Sequence, residues 1–318
     1  MDKKSYRVRN WREYNESLTK RGSLTFWFDE ECIRQWQSDQ KSGKRGRPEK
    51  YSDMAIQTGL TLKALFKLTF RATEGFIKSL IELLKLKLEV PDYTLLCKRQ
   101  KTIVLNLPKI AVKPEEKLNL VFDSTGLKIF GEGEWKVRQY GWKKRRVWRK
   151  LHLAVNDKNQ QIEAFELTDL GMQDCEGFSL LLNQIKDPIE SCIGDGAYDR
   201  FSCYEEAERK NFKLIVPPQR NAKLSTERCK KNKANPDAIQ KRDDAIQQAR
   251  VLGRKEWKIQ SGYHRRSLAE TAMFRVKTLL GKQLRARTLE NQMAEIAVWC
   301  SIINKMTTLG MPESVVID

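Results

Sequence analysis

Histidine is nearly missing from this chain of 318 residues: only His152 and His264 are present. A His-rich metal site is therefore excluded, and catalysis through histidine would have to rest on one residue at most. Cysteine is present but unpatterned. The seven cysteines (32, 97, 175, 192, 203, 229 and 300) are an odd number, lie far apart and include no C-x-x-C pair of the kind that builds zinc sites. They read as reduced thiols, several of them buried. Long apolar runs are also lacking: no stretch of about 18 uninterrupted apolar residues occurs, and the N-terminus has no signal-peptide core. A soluble, intracellular protein without a membrane partner is expected. Acidic charge is in deficit, with 41 Asp and Glu against 60 Lys and Arg, a net charge of +19 and a pI near 9.6. The natural partner is a polyanion, nucleic acid ahead of an anionic membrane surface.

With 40% hydrophobic and 9% aromatic residues, the chain is long enough for two domains, one with a sizeable core. Three tryptophans (11, 27 and 36) punctuate the charged first forty residues. The polar run Lys41-Ser-Gly-Lys-Arg-Gly-Arg-Pro-Glu-Lys50 then reads as a linker. Apolar residues recur at helical spacing through Ile56, Leu60, Leu62, Leu65 and Phe66, and again through Phe76, Ile77, Leu80, Ile81 and Leu84. Pro91-Asp92 breaks the pattern ahead of a short basic segment, Leu95 to Lys101. Helices, a Pro turn and a basic helix suggest a helix-turn-helix within residues 1–108, with Lys98 and Arg99 on the helix that would read the major groove. A merely solvated basic helix fits the same residues.

Beyond Pro114 the pattern changes to strands. Leu118, Leu120 and Phe122 alternate with Asn119, Val121 and Asp123, so Asp123 falls on the opposite face near the strand's end. Strands are expected at 148–155 and 162–167, a helix at 175–185, a strand at 189–194 ending at Asp195, a helix at 201–210 and a strand at 212–216. Largely helical sequence follows to Met306. Strands first, then alternation with helices, predicts an α/β sheet domain over 115–318 that opens with a meander.

Two acidic residues share one local syntax. Asp123 ends an apolar strand before Ser-Thr-Gly126, and Asp195 does so before Gly-Ala-Tyr198. An Asp so placed is costly to bury unless it meets a cation or hydrogen-bond donors. Each could equally cap the turn that follows. The third acid is Glu270, in Tyr263-His-Arg-Arg-Ser-Leu-Ala-Glu270-Thr-Ala-Met-Phe-Arg-Val-Lys277. At about 100° per residue, Tyr263, Arg266, Glu270 and Lys277 fall within roughly 60° of a helical wheel. Phe274 shares that stripe. Ser267-Leu-Ala-Glu270 also fits a capping box, which would leave Tyr263 and Arg266 outside the helix. Three carboxylates from two strand ends and a helix can bind two Mg²⁺ ions for in-line phosphodiester displacement. Arg266 and Lys277 would then offset phosphate charge, and Tyr263 could stack on a base or position the helix.

Other basic segments are candidate DNA surfaces. From Trp135 to Lys150 eight Lys or Arg residues, among them Lys143, Lys144, Arg145 and Arg146, are interleaved with Trp135, Tyr140, Trp142 and Trp148. Such a loop would contact phosphates and stack on bases, unless it is a solvated hairpin. The run Arg220 to Lys233 reads as a solvated loop that could also touch DNA. Lys44-Arg-Gly-Arg-Pro48 resembles a minor-groove hook.

Taken together, Asp123-Ser-Thr-Gly-Leu-Lys128, Gly131-Glu-Gly-Glu-Trp135, Asp195-Gly-Ala-Tyr-Asp199 and the spacing from Tyr263 to Lys277 resemble the bacterial DDE-class insertion-sequence transposases of the insertion-sequence-five group. Trp11-Arg-Glu-Tyr-Asn15, Arg21-Gly-Ser-Leu24 and Asn304-Lys-Met-Thr-Thr-Leu-Gly310 extend the likeness to nearly the whole length. The resemblance implies an RNase H-like catalytic fold and Asp123, Asp195 and Glu270 as ligands of two Mg²⁺ or Mn²⁺ ions. It also implies cleavage at terminal inverted repeats, strand transfer into target DNA, assembly as a homo-oligomer on double-stranded DNA, and a cytoplasmic, nucleoid-associated location. A DNA-binding regulator descended from such an enzyme, or a nuclease without strand transfer, would carry the same residues.

Overall fold

The computed structural model describes residues 5–38, 48–103, 107–110, 115–129, 148–227, 235–279 and 281–317. The chain divides into two compact units, the first made of 1–108 with 286–318 and the second of 109–285.

In the first unit, β1 (Ser5–Val8) leads into α1 (Trp11–Lys20), α2 (Leu24–Trp27) and α3 (Glu30–Arg34). Three longer helices follow: α4 (Asp53–Leu65), α5 (Phe70–Leu83) and α6 (Tyr93–Arg99). Their starts are written in the sequence, since Ser52, Thr69 and Asp92 each accept hydrogen bonds from the first-turn backbone. Ile56, Leu60, Ile77, Leu80, Ile81 and Leu96 are buried. Gly59 makes this closeness possible, because a Cβ there would stand 3.0 Å from Leu96. The short connection, 66–69 with Lys67 in the left-handed region, lies between α4 and α5. The basic helix α6 instead follows the longer segment 84–92, so the compact turn falls one helix earlier than the sequence suggested.

The second unit is a mixed sheet between helices. It contains β2 (Leu118–Ile129), β3 (Trp148–Asn156), β4 (Ile162–Asp169), α7 (Asp174–Gln184), β5 (Ile189–Ile193), α8 (Phe201–Lys210) and β6 (Lys213–Ile215). After these come α9 (Pro236–Leu252), α10 (Arg254–Gln260), α11 (Ser267–Leu279) and β7 (Gln283–Leu284). The strand order is β4-β3-β2-β5-β6, with β7 also pairing with β2. The pairs β2–β3 and β3–β4 are antiparallel, whereas β2–β5 and β5–β6 are parallel. An antiparallel meander continued by parallel strands is the RNase H-like arrangement. Period-two alternation sorts the faces. Leu118, Leu120 and Phe122 join Phe178, Leu181 and Tyr204 in one core, while Val121, Ile193 and Ile215 meet Trp257 and Ala269 in another.

Residues from Ala286 onward belong to the first unit rather than continuing the sheet domain to 318. They form α12 (Leu289–Thr308) and β8 (Ser314–Ile317). Gln57 of α4 donates to Ser301 of α12 at 3.1 Å, and Lys305 pairs with Asp29 at 2.9 Å. The mostly apolar α12 is buried along much of its length and packs beside α4. A long C-terminal helix has no period that reveals which core it enters.

Candidate active site

The register of two strands sets the site. Val121 of β2 pairs in parallel with Ile193 of β5, and Asp123 and Asp195 each follow two residues later. Asp195 thus stands just past the carboxyl end of β5. Asp123 lies just past the end of the parallel pairing but in the middle of β2, which runs on to Ile129 paired with β3 rather than ending near Asp123 as expected; Asp123 shares the face of Val121 rather than Phe122. Of the two, only Asp195 caps a turn, as N-cap of the 3-10 turn Gly196–Tyr198; Asp123, within β2, accepts from the next residue instead. Asp123 accepts from the Ser124 N–H at 2.9 Å, and Asp195 from the Ala197 N–H at 2.8 Å. Gly194 lets Tyr198 fold back tightly, since a Cβ there would lie 2.7 Å from its ring.

The third acid arrives on α11. The α-helix begins at Ser267, and Tyr263–Arg266 form a 3-10 turn directly before it. Tyr263 and Arg266 thus lie outside the α-helix, as a capping box would require. The Glu270 carboxylate, however, accepts from Arg266, one turn back. Arg266 also approaches Asp123 at 3.6 Å. Ala269, beside Glu270, is fully buried against Val121 and Ile193, which holds the helix over the middle of β2 and the end of β5. Lys277 donates to Thr125, two residues beyond Asp123. Tyr263 packs beside Trp257 with ring centroids 6.3 Å apart.

These groups share one electrostatic field. Burial raises the Asp123 pKa above the ordinary carboxylate range; the Ser124 N–H and Arg266 oppose the rise, and the charges of Asp195 and Glu270 add to it. Burial likewise raises Tyr263, with Asp195, Asp123 and Glu270 reinforcing the shift, and burial followed by nearby Lys282 lowers Lys277. Among the described residues no group of three or more His, Cys, Asp or Glu side chains converges closely enough to hold a metal ion. Instead the Arg266 guanidinium is the cation that contacts both Asp123 and Glu270. The donor chemistry nevertheless suits a hard divalent ion: the oxygens are all carboxylate, and a desolvated Asp opposed by two like charges gains from a nearby cation.

The remaining expected residues are dispersed. Trp135, Trp142, Lys143, Lys144, Arg145 and Arg146 lie outside the described residues, as do the part of the run Arg220 to Lys233 after Glu227 and the segment Lys44 to Arg47. Trp148 is half-buried at the start of β3. Its ring covers Gly126, where a Cβ would meet it at 3.2 Å, and Lys128 stands over it at 5.5 Å. Lys98 is exposed on α6. Arg99, by contrast, has a side chain only 11% exposed, paired with Glu49 at 3.2 Å and with Asp53, and it donates to the Tyr51 carbonyl at 2.7 Å. Its donors serve the fold of the first unit. Six described cysteines are free thiols, with Cys32, Cys192, Cys203 and Cys300 buried. No described helix is long and apolar enough to cross a membrane.

Sequence reading missed two buried polar clusters. His152 is fully buried on β3, bonds Thr168 at 2.9 Å and lies 3.7 Å from Asp174. Asp199 forms a two-pronged pair with Arg242 of α9. Asp199 stood in the motif that begins at Asp195, but nothing local named its partner.

An RNase H-like sheet with two aspartates on adjacent parallel strands, one within β2 and one just past β5, and a helical glutamate joined to the first through Arg266, defines the class of nucleic-acid-processing enzymes with an acidic site. The chain matches the family described as Transposase DDE domain over residues 114–305, and a second family of the same description over 19–132. It belongs to the DDE transposases, enzymes that use divalent metal ions. Similar solved structures include the piggyBac transposase synaptic complex with hairpin DNA, 9% identical over 96% of this chain and 76% of that one, TM-score 0.38. Another is the Drosophila P element transposase strand transfer complex, 12% identical over 88% and 86%, TM-score 0.34. A third is the Mos1 strand transfer complex, 10% identical over 85% and 79%, TM-score 0.25.

Proposed function

We propose that this transposase binds the terminal inverted repeats of an insertion sequence, cleaves DNA at the element's ends and joins the freed 3′ ends to target DNA. The observation that most supports this reading is the parallel register of Val121 with Ile193, which brings Asp123 and Asp195 to neighbouring strands, with Arg266 joining Asp123 to Glu270. Asp123, Asp195 and Glu270 would hold two Mg²⁺ or Mn²⁺ ions. Such ions, when bound, stabilise charge on the attacking and leaving oxygens of a phosphodiester. Arg266 would exchange its carboxylate partners for a backbone phosphate, for which a planar guanidinium is suited. Lys277, on the same helix, would add a second phosphate contact, and Tyr263 would order the nearby nucleotide. Residues 1–108, with Lys98, would bind DNA apart from the chemistry. The segment with Trp135, Trp142, Lys143, Lys144, Arg145 and Arg146 would hold the strand near the scissile bond, next to Trp148. Two or more copies would assemble on the paired ends.

The test uses the full chain with linear DNA ending in the repeats that flank its reading frame. Cleavage is expected in Mg²⁺ or Mn²⁺ and not in chelator. Glu270→Gln should abolish cleavage while leaving DNA binding intact. Binding without cutting by the wild-type chain would return the protein to a regulator, and cutting without joined target products would leave a nuclease.

A further inference from the structure

The turn that carries Asp195 is tied down by residues outside the acidic site. Tyr198 N–H donates back to the Asp195 carbonyl at 3.1 Å and Asp199 N–H to the Gly196 carbonyl at 3.3 Å, so Asp195 to Asp199 form one rigid bend. At its far end Asp199 is buried, 3% exposed, and Arg242 of α9 is 4% exposed. Arg242 donates from Nε to Oδ1 at 2.8 Å and from Nη2 to Oδ2 at 2.9 Å. Asp199 Oδ2 also accepts from the Gln219 N–H at 3.0 Å, and the Gln219 side chain reaches the Gly196 carbonyl at 3.3 Å. The Phe201 ring covers the guanidinium at 5.0 Å, and Nη1 adds a bond to the Lys223 carbonyl at 3.4 Å. A helix nearly fifty residues downstream therefore clamps the bend from beneath.

A buried ion pair is weak evidence for stability, because desolvation of both charges offsets their attraction, and an apolar pair of similar volume often does as well. What such a pair does supply is geometry: two parallel donor-acceptor bonds define an orientation as well as a distance. We propose that the Asp199–Arg242 pair, with Gln219, positions the Asp195 carboxylate beside Asp123, so that Asp199 and Arg242 are positioning residues for divalent-ion binding. The proposal rests on Asp195 being a metal ligand. Groups that orient ligands without touching the ion typically cost about 10- to 100-fold in metal affinity when removed.

The experiment measures Mn²⁺ binding to the full chain by electron paramagnetic resonance of the free ion, together with the melting temperature in chelator. Asp199→Asn should weaken Mn²⁺ binding about 10-fold or more. The double variant Asp199→Leu/Arg242→Met should regain most of any lost melting temperature while Mn²⁺ binding stays weak, an outcome that a purely structural role would not give. Recovery of Mn²⁺ binding together with stability in the double variant would overturn the proposal. So would wild-type Mn²⁺ binding by Asp199→Asn. Asp195→Asn separates the two levels: if it lowers Mn²⁺ binding and Asp199→Asn does not, only the positioning role fails. If Asp195→Asn binds Mn²⁺ as the wild type does, the ligand assignment fails and the positioning role with it.

Discussion

Arg266 approaches Asp123 at 3.6 Å with one guanidinium nitrogen and donates to Glu270 with another, so a single cation spans two of the three carboxylates. In the absence of a divalent ion it compensates both, at Asp123 alongside the Ser124 N–H, and its removal should be felt first by the metal-free protein. Arg266→Gln is expected to lower stability in chelator by about 1 kcal/mol, since the pair with Glu270 is largely solvent-exposed and the one with Asp123 only partly so. Added Mg²⁺ should then raise the melting temperature more in the variant than in the wild type. Equal Mg²⁺ shifts would show that Arg266 does not compete for the carboxylates.

Asp123 should illustrate a conflict between stability and chemistry. Its folded pKa is raised chiefly by burial, so the folded state favours the protonated acid. That contribution is present below the unfolded-state pKa and is lost as pH rises through the folded one. Asp123→Asn, a neutral isostere that can still accept from Ser124, should therefore melt higher than wild type at pH 7 in chelator. The advantage should shrink toward acid pH and be accompanied by complete loss of cleavage. A lower melting temperature at pH 7 would contradict the assigned cause.

His152 gives the opposite slope. Burial pushes it down to about 4, against the usual 6.5, with Asp174 opposing and Lys150 reinforcing the shift. Between those values the unfolded chain binds more protons than the folded one. Stability should therefore fall as pH drops through this window and level off below it, by about 3 kcal/mol in all. His152→Gln should flatten the dependence, as read from denaturant unfolding at half-unit pH steps.

Gly177 supplies a packing test of the same cluster. A Cβ there would lie 2.5 Å from the buried His152 ring, closer than the core can accommodate. Gly177→Ala should destabilise by about 1–3 kcal/mol, although alanine is the better helix former by about 1 kcal/mol. Shortening the ring in Gly177→Ala/His152→Ser should recover part of the loss; strict additivity of the two changes would refute the clash.

Lys98 and Arg99 are adjacent in sequence but should respond differently. Arg99→Ala is expected to cost about 1–2 kcal/mol of stability through its paired carboxylates and the Tyr51 carbonyl. Lys98→Ala should leave the melting curve in place and weaken DNA binding, with a smaller salt slope in a fluorescence titration.

Local syntax carried most of the acidic site. An apolar run reaching an Asp followed by small residues marked both Asp123 and Asp195, although only β5 ends there while β2 continues to Ile129, and their common register needed only the expectation that β2 and β5 are neighbours. The meander and the strand-helix alternation were equally legible from period-two and helical spacing. Long-range partners were not. Asp199 and Arg242 are 43 positions apart, and burial of an ion pair depends on which helix covers which loop, a property that no window of sequence contains. The same holds for Arg99, whose basic segment looked free because Glu49 and Asp53 lie beyond one helical reach. The destination of α12 was hidden for another reason: a helix buried nearly all round has no polar face to say which core it enters.

Pairing of β1 with β8 joins Ser5 to Ile317 and Val8 to Ser314, so the first unit is closed by residues made after all of the sheet unit. On the ribosome the sheet of 109–285 has all its strands before the first unit has its last helix and edge strand. Synthesis order and completion order are thus reversed for the two units. A nascent chain released just after Arg285 would hold every carboxylate of the acidic site while the first unit still lacked α12 and β8, leaving α4, the helix that α12 packs beside, without it and open to aggregation or proteolysis.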